Sequence, residues 1–198
     1  MKAFLVGLAF IASALCLAPS SASAAAGVKI QKLAERKVEA LPPGDLYWRI
    51  ESFRSLEDAR SAAGPYGLAV ESRDGKAWLF TLGPKGGSGA GTGVAEVGPI
   101  GRFPAPEYLL RINEATGEPG ATTPVHSHPG SEAFFVLAGE QSVRGPTGVL
   151  KLHPGEHTPG NGAFVPMQVT STGATGLNAL VMFVLDANQP FSSPAHMP

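Results

Sequence analysis

Hydrophobic positions along this chain come in short runs that alternate with polar residues, each run closed by Gly or Pro. A period of two is the mark of a half-buried β-strand. The pattern predicts strands over residues 68–71 and 76–82, joined by Ser72-Arg73-Asp74-Gly75, whose Asp-Gly pair signals a hairpin turn. In the second of these Trp78 and Phe80 fall on one face, which points them into a core. Further strands are expected over residues 94–97, 108–112, 133–137, 148–153, 163–169 and 177–185. Residues 28–43 read as a loose arm with a strand at 28–33. The clearest helix signal is Ser55-Leu56-Glu57-Asp58, a Ser N-cap with an acid three residues on, stopped by Gly64-Pro65. It predicts one short connecting helix. Residues 83–93, GPKGGSGAGTG, lack the spacing of a phosphate-binding loop and precede a strand, so they read as a flexible surface loop.

Composition agrees with this reading. Of 198 residues 25 are Gly and 18 are Pro, and only 16% are charged against 43% hydrophobic, which excludes a disordered chain and a helical bundle. A chain of this length buries roughly 70% of its unfolded surface as one domain. Residues 1–24 stand apart. Lys2, an apolar run over residues 3–17 and the small residues Ala22-Ser23-Ala24 make a cleavable signal peptide, too short to span a bilayer. Leu15, bulky just before Cys16, argues against a lipoprotein anchor. Cleavage leaves a chain without cysteine, so the expected product is exported, periplasmic or secreted, and held without disulfides. Losing Lys2 takes the formal charge from −1 to −2, with no basic run to attract nucleic acid or a membrane surface.

All five histidines follow residue 125: His126, His128, His153, His157 and His196. On an extended segment the spacing His126-Ser127-His128 puts both rings on one face. Pro129-Gly130 turns the chain, and Glu132 begins the next strand, where it faces the two rings. Two imidazoles and a carboxylate suit a divalent metal of intermediate softness, with positions left open for water or substrate.

The spacing goes further. Gly120, five residues, His126-x-His128, three residues, Glu132, six residues and Gly139 resemble the first motif of the cupin superfamily at every fixed position. The resemblance implies an all-β fold, a double-stranded β-helix (jelly-roll barrel), with a metal held on its inner face by His126, His128 and Glu132. It would carry residues 25–112 as N-terminal strands and an extension packed on the barrel and residues 113–198 as the motif region, together one domain. The second cupin motif is altered. Gly155-Glu156 supplies its turn, but Met167 stands where a fourth metal-binding His is expected and Ser171 where an Asn is expected. A thioether ligates well only copper among the metals considered. His157 is either a substitute ligand, an acid/base beside the metal, or simply a turn residue.

Alternation points Phe134, Val136, Val165, Met167 and Val169 inward, a mostly apolar lining to which Arg111 or Arg144 adds one anion contact. Phe134 and Phe164 read equally as core, and His153 and His196 as structural or solvated. The two imidazoles and one carboxylate suit iron, manganese, nickel, cobalt or zinc, with copper as the outlier, and the apolar lining favours a small, weakly polar molecule; the resemblance implies an enzyme acting on it. A dioxygenase is expected first, with Glu132 and His157 as its catalytic groups. An isomerase or lyase and a non-catalytic binding protein are the alternatives, and a homodimer through the N-terminal strands is the expected assembly.

Overall fold

The computed structural model describes residues 27–198, so the signal peptide expected over residues 1–24 lies outside the described residues. No helix among the described residues is long and apolar enough to cross a membrane.

Three layers stack on one another. The middle layer is a five-stranded sheet in the order β1 (Lys29–Val38), β6 (Tyr108–Gly117), β13 (Leu177–Asp186), β8 (Gly130–Ala138) and β11 (His157–Pro159). On one side lies a four-stranded sheet of β3 (Gly67–Glu71), β4 (Ala77–Gly83), β2 (Leu46–Phe53) and β5 (Thr92–Ile100). On the other lie a sheet of β10 (Gly148–Leu152), β9 (Gln141–Gly145) and β12 (Gln168–Ser171), and the pair β14 (Ser193–Pro194) and β7 (His126–Ser127). The middle sheet and these last two close the jelly-roll barrel of a double-stranded β-helix. The helix α1 (Leu56–Ala62) is capped by Ser55, whose Oγ accepts from the Asp58 amide at 3.1 Å.

Strand alternation explains the layering. In β13 the residues Leu180, Met182 and Val184 pack towards the four-stranded sheet, against Trp48, Phe80 and Trp78, while Leu177, Ala179, Val181, Phe183 and Leu185 face the barrel interior. A strand covered on both faces has no need of polar alternation, hence its unbroken apolar run. Trp78 and Phe80 are buried in that first core, and Gly75 turns their hairpin at φ 78°.

The structure departs from the sequence expectations in several places. Residues 28–38 are no loose arm: β1 pairs with β6 through ten register positions less one bulge, and so is a barrel strand. The division at residue 112 falls inside β6, which continues to Gly117. The strand β2 was absent from the expected set although Leu46, Trp48 and Ile50 alternate inward and are fully buried. The strand expected over residues 163–169 begins only at Gln168, because Pro166 has no amide hydrogen and Phe164 adopts φ 60°.

Candidate metal and substrate site

Cross-strand register sets out the site. Glu132, Phe183 and Arg111 face each other across β8, β13 and β6, and Glu35 of β1 is opposite Arg111. One step deeper come Phe134, Val181 and Asn113, with Lys32 opposite Asn113. The facing wall is the segment from Gly120 to His128 beside β12 and β9. Gly120 and Gly139, the two motif glycines, sit at φ 85° and 74°, and a Cβ on Gly139 would meet the Gly176 carbonyl oxygen at 2.6 Å. This is why the spacing demands glycine there. Between the walls lies a cavity of about 580 Å³ that His126, His128, Glu132, Phe134 and Val169 all line.

Both imidazoles are oriented by the backbone. His126 Nδ1 lies 2.9 Å from the Pro124 carbonyl oxygen and His128 Nδ1 lies 2.7 Å from that of Phe191. A carbonyl only accepts, so each Nδ1 carries the proton and each Nε2 presents a lone pair. The rings meet edge to face at 4.9 Å. His128 Nε2 is 3.9 Å from a Glu132 carboxylate oxygen, and the other oxygen, Oε1, is buried with no partner. Burial lowers the His128 pKa to about 4 and raises that of Glu132 to about 8, a backbone N–H at Asn161 opposing the latter. At 3.9 Å the two therefore face each other uncharged around neutral pH rather than as an ion pair.

Among the described residues no three His, Cys, Asp or Glu side chains are gathered closely enough to hold an ion as they stand. The donors fit a divalent metal in kind. Two imidazoles with Nδ1 pinned by carbonyls, and a carboxylate oxygen left without a partner inside the fold, are the supports that metal-ligating side chains have.

The remaining expected site residues fall as follows. Met167 is cross-strand partner to His126, with backbone hydrogen bonds of 2.8 and 3.0 Å, and is 1% exposed, so it stands in the expected place and brings no nitrogen. Met167 and Val136 belong to the core behind the cavity rather than to its lining. His157 does not reach the site. It is exposed on β11 opposite Phe135, on the face of the sheet turned away from Glu132 and Phe134. Arg144 is also outside, bonded to Gln168 Oε1 at 2.9 Å, whereas Arg111 lines the cavity. Phe164 is 66% exposed and is not core. His153 and His196 are exposed.

The lining is less apolar than alternation from the expected strands implied. Asn113 and Gln141 also face the cavity, 2% and 0% exposed, with Asn113 Oδ1 and both amide atoms of Gln141 unpartnered. The signals were present: Asn113 follows Arg111 at the strand period, just past the expected end of its strand, and Gln141 is two residues after the motif glycine. Phe191 closes the site from the C-terminal segment, its ring 5.0 Å from those of His128 and Phe183 and 4.2 Å beneath the Arg111 guanidinium.

No protein-family model and no curated protein matches the chain. Among solved structures it is similar to the DMSP lyase DddQ of Ruegeria pomeroyi, at 25% identity and a TM-score of 0.39 over 43% of each chain, and thus spans under half that lyase's length. It is also similar to a cupin-like protein of Thermotoga maritima, at 18% identity and a TM-score of 0.40 over 44% of this chain and 65% of that one. A Klebsiella pneumoniae protein with a double-stranded β-helix domain gives 19% identity and a TM-score of 0.38 over 43% and 70%. What the strand order supports here is the double-stranded β-helix fold.

Proposed function

We propose that this chain, a cupin by its motif and its barrel, is a divalent-metal-dependent enzyme acting on a small molecule inside the barrel. His126 and His128 would hold the metal through Nε2 and Glu132 through its carboxylate. The carrying observation is that both Nδ1 atoms are committed to backbone carbonyls, which leaves both Nε2 lone pairs free in a cavity that Glu132, with one oxygen unpartnered, also lines. Bound there, the metal would act as a Lewis acid on a substrate oxygen. The chain supplies the rest. Phe183 and Phe191 pack on the His128 ring and shield it from water, and Arg111 places a cation at the level of Glu132.

The reaction we favour is non-redox, an isomerisation or elimination, because the floor of the cavity is built of amides suited to a polar substrate. The dioxygenase is the second reading, supported by the aromatic wall of Phe134, Phe183 and Phe191 beside the histidines. The N-terminal segment supports export, so metal would be acquired outside the cytoplasm. The test is elemental analysis of the purified protein beside His126→Ala and His128→Ala, then turnover of the metal-loaded protein with and without dioxygen. Stoichiometric metal lost in both variants supports the site, and no metal in the wild type overturns it. Turnover without dioxygen selects the favoured reaction; strict oxygen dependence selects the second.

A further inference from the structure

Four polar groups inside the barrel have no partner within the protein: Asn113 Oδ1, Glu132 Oε1, the Gln141 amide and Ser171 Oγ. An unmet hydrogen bond at such depth works against folding, so several in one chamber mark a surface shaped for something else. Glu132 is accounted for by the metal reading. Asn113 and Gln141 are not. They come from opposite walls, β6 and β9, and both line the cavity. Ser171, cross-strand partner of Gln141, backs the same spot. What they ask for is specific: Asn113 Oδ1 and Gln141 Oε1 each need a donor, and Gln141 Nε2 needs an acceptor. Adjacent hydroxyl groups meet all three demands, since each hydroxyl both donates and accepts. An alkyl or aryl group meets none.

The rim has a different chemistry. Arg111 lines it together with Lys32, whose backbone is level with Asn113 but whose ammonium reaches Glu35; the two cations share that carboxylate, its Oε1 taking Lys32 at 2.8 Å and its Oε2 taking Arg111 Nε at 2.9 Å. Two cations against one carboxylate leave one positive charge, and Arg111 Nη1 is not used in that pairing. The Phe191 ring lies beneath the guanidinium, 4.2 Å from centroid to Cζ, and holds it there by cation–π attraction. Among the residues that line the cavity the only acid is Glu132, which the metal reading assigns as a ligand. Along β6 the step from Arg111 to Asn113 is about 7 Å, the span of a three- or four-carbon molecule.

We propose that the substrate is a small hydroxylated carboxylate, its acid group held at Arg111 and Lys32 and its hydroxyl groups read by Asn113 and Gln141. This rests on the reading of the site as a metal enzyme, deepens it from a small molecule to a chemical class, and replaces the weakly polar substrate that the strand pattern implied.

The experiment compares three four-carbon probes, erythronate, butyrate and erythritol, by calorimetric titration into the protein both stripped of metal and loaded with zinc. Erythronate should bind at least tenfold more tightly than butyrate, which lacks the hydroxyls, and than erythritol, which lacks the carboxylate. Gln141→Leu and Asn113→Leu should each bring the erythronate-to-butyrate ratio towards one. Both variants should also unfold at an equal or higher temperature, because leucine removes a buried group that has no partner. Equal binding of erythronate and butyrate by the wild type under both conditions overturns the proposal, as does a ratio unchanged in Gln141→Leu. A lower unfolding temperature with the ratio unchanged assigns the amides to structure or bound water and also overturns it. The metal reading fails separately: selective erythronate binding by a protein that takes up no zinc keeps this inference and removes that one, and zinc uptake without selectivity does the reverse.

Discussion

His128 donates from Nδ1 to the carbonyl oxygen of Phe191 across 2.7 Å, sixty-three residues further along the chain. The C-terminal segment therefore orients a central ring of the site. Its strand β14 pairs only with the two-residue β7, Ser193 opposite Ser127 and Pro194 opposite His126. Few buried apolar groups tie it down, since of its residues only Phe191 packs against the barrel core. Ending the chain at Asn188 should leave the barrel folded and weaken zinc binding by about 10–100-fold, the usual cost of losing a group that orients a ligand. Zinc titration beside a circular dichroism spectrum checks both halves.

Glu132 and His128 predict an unusual pH profile for the metal-free protein. His128 has its folded pKa lowered to about 4 from 6.5, so the unfolded chain binds the extra proton between those values and stability rises with pH there. Glu132 has its folded pKa raised to about 8 from 4.5, so the folded chain holds the extra proton and stability falls with pH between those values. The two slopes oppose from 4.5 to 6.5 and leave a plateau; above it only Glu132 acts, and about 2 kcal/mol should be lost between pH 6.5 and 8. Urea unfolding of the stripped protein should show that decline in the wild type and not in Glu132→Gln. A wild-type stability that rises over that interval would contradict it.

Met167 is the position at which the metal site can be strengthened. It is the cross-strand partner of His126, so a side chain there starts on the same side of the pair as the His126 ring, from the core behind the cavity. Met167→His should add a nitrogen donor and raise zinc affinity at least tenfold, while Met167→Leu should leave affinity unchanged and cost less than about 1.5 kcal/mol. Competition with a chelating dye for zinc would measure both.

How far the sequence could be read depended on whether local spacing held the information. That His126, His128 and Glu132 line one cavity was legible because a strand's period and one turn set their directions, and the motif glycines because their backbone angles admit little else. Trp78 and Phe80 were legible by the same alternation. His157 was misplaced because a turn residue's direction depends on the strand it joins. Its pairing with Phe135 of β8, rather than its neighbours, sends it outward. The polar floor was missed for a similar reason. Gln141 lies on a five-residue strand, QSVRG, with no apolar run to announce it, and its inward direction follows from pairing with Ser171 and Leu152.

Gly160 and Gly162 give a paired test of how tightly the site is built. A Cβ on Gly160 would come within 2.6 Å of Glu132 Cγ and 2.7 Å of Phe134 Cε2, and 3.2 Å from the Glu132 carbonyl oxygen, so neither side chain could stay where it is. The loop is also tied to that strand by the Gly160 amide, which donates to the Glu132 carbonyl at 2.8 Å, so it cannot retreat without breaking the bond. Gly162, two residues on, has nothing within 4 Å of the same position. Gly160→Ala should therefore destabilise the protein by about 1–3 kcal/mol, the range for overpacking a filled interior, and weaken zinc binding by displacing the Glu132 carboxylate. Gly162→Ala should do neither. Thermal unfolding and zinc titration of the two variants side by side decide it, and equal behaviour would show that Glu132 is not confined by this loop.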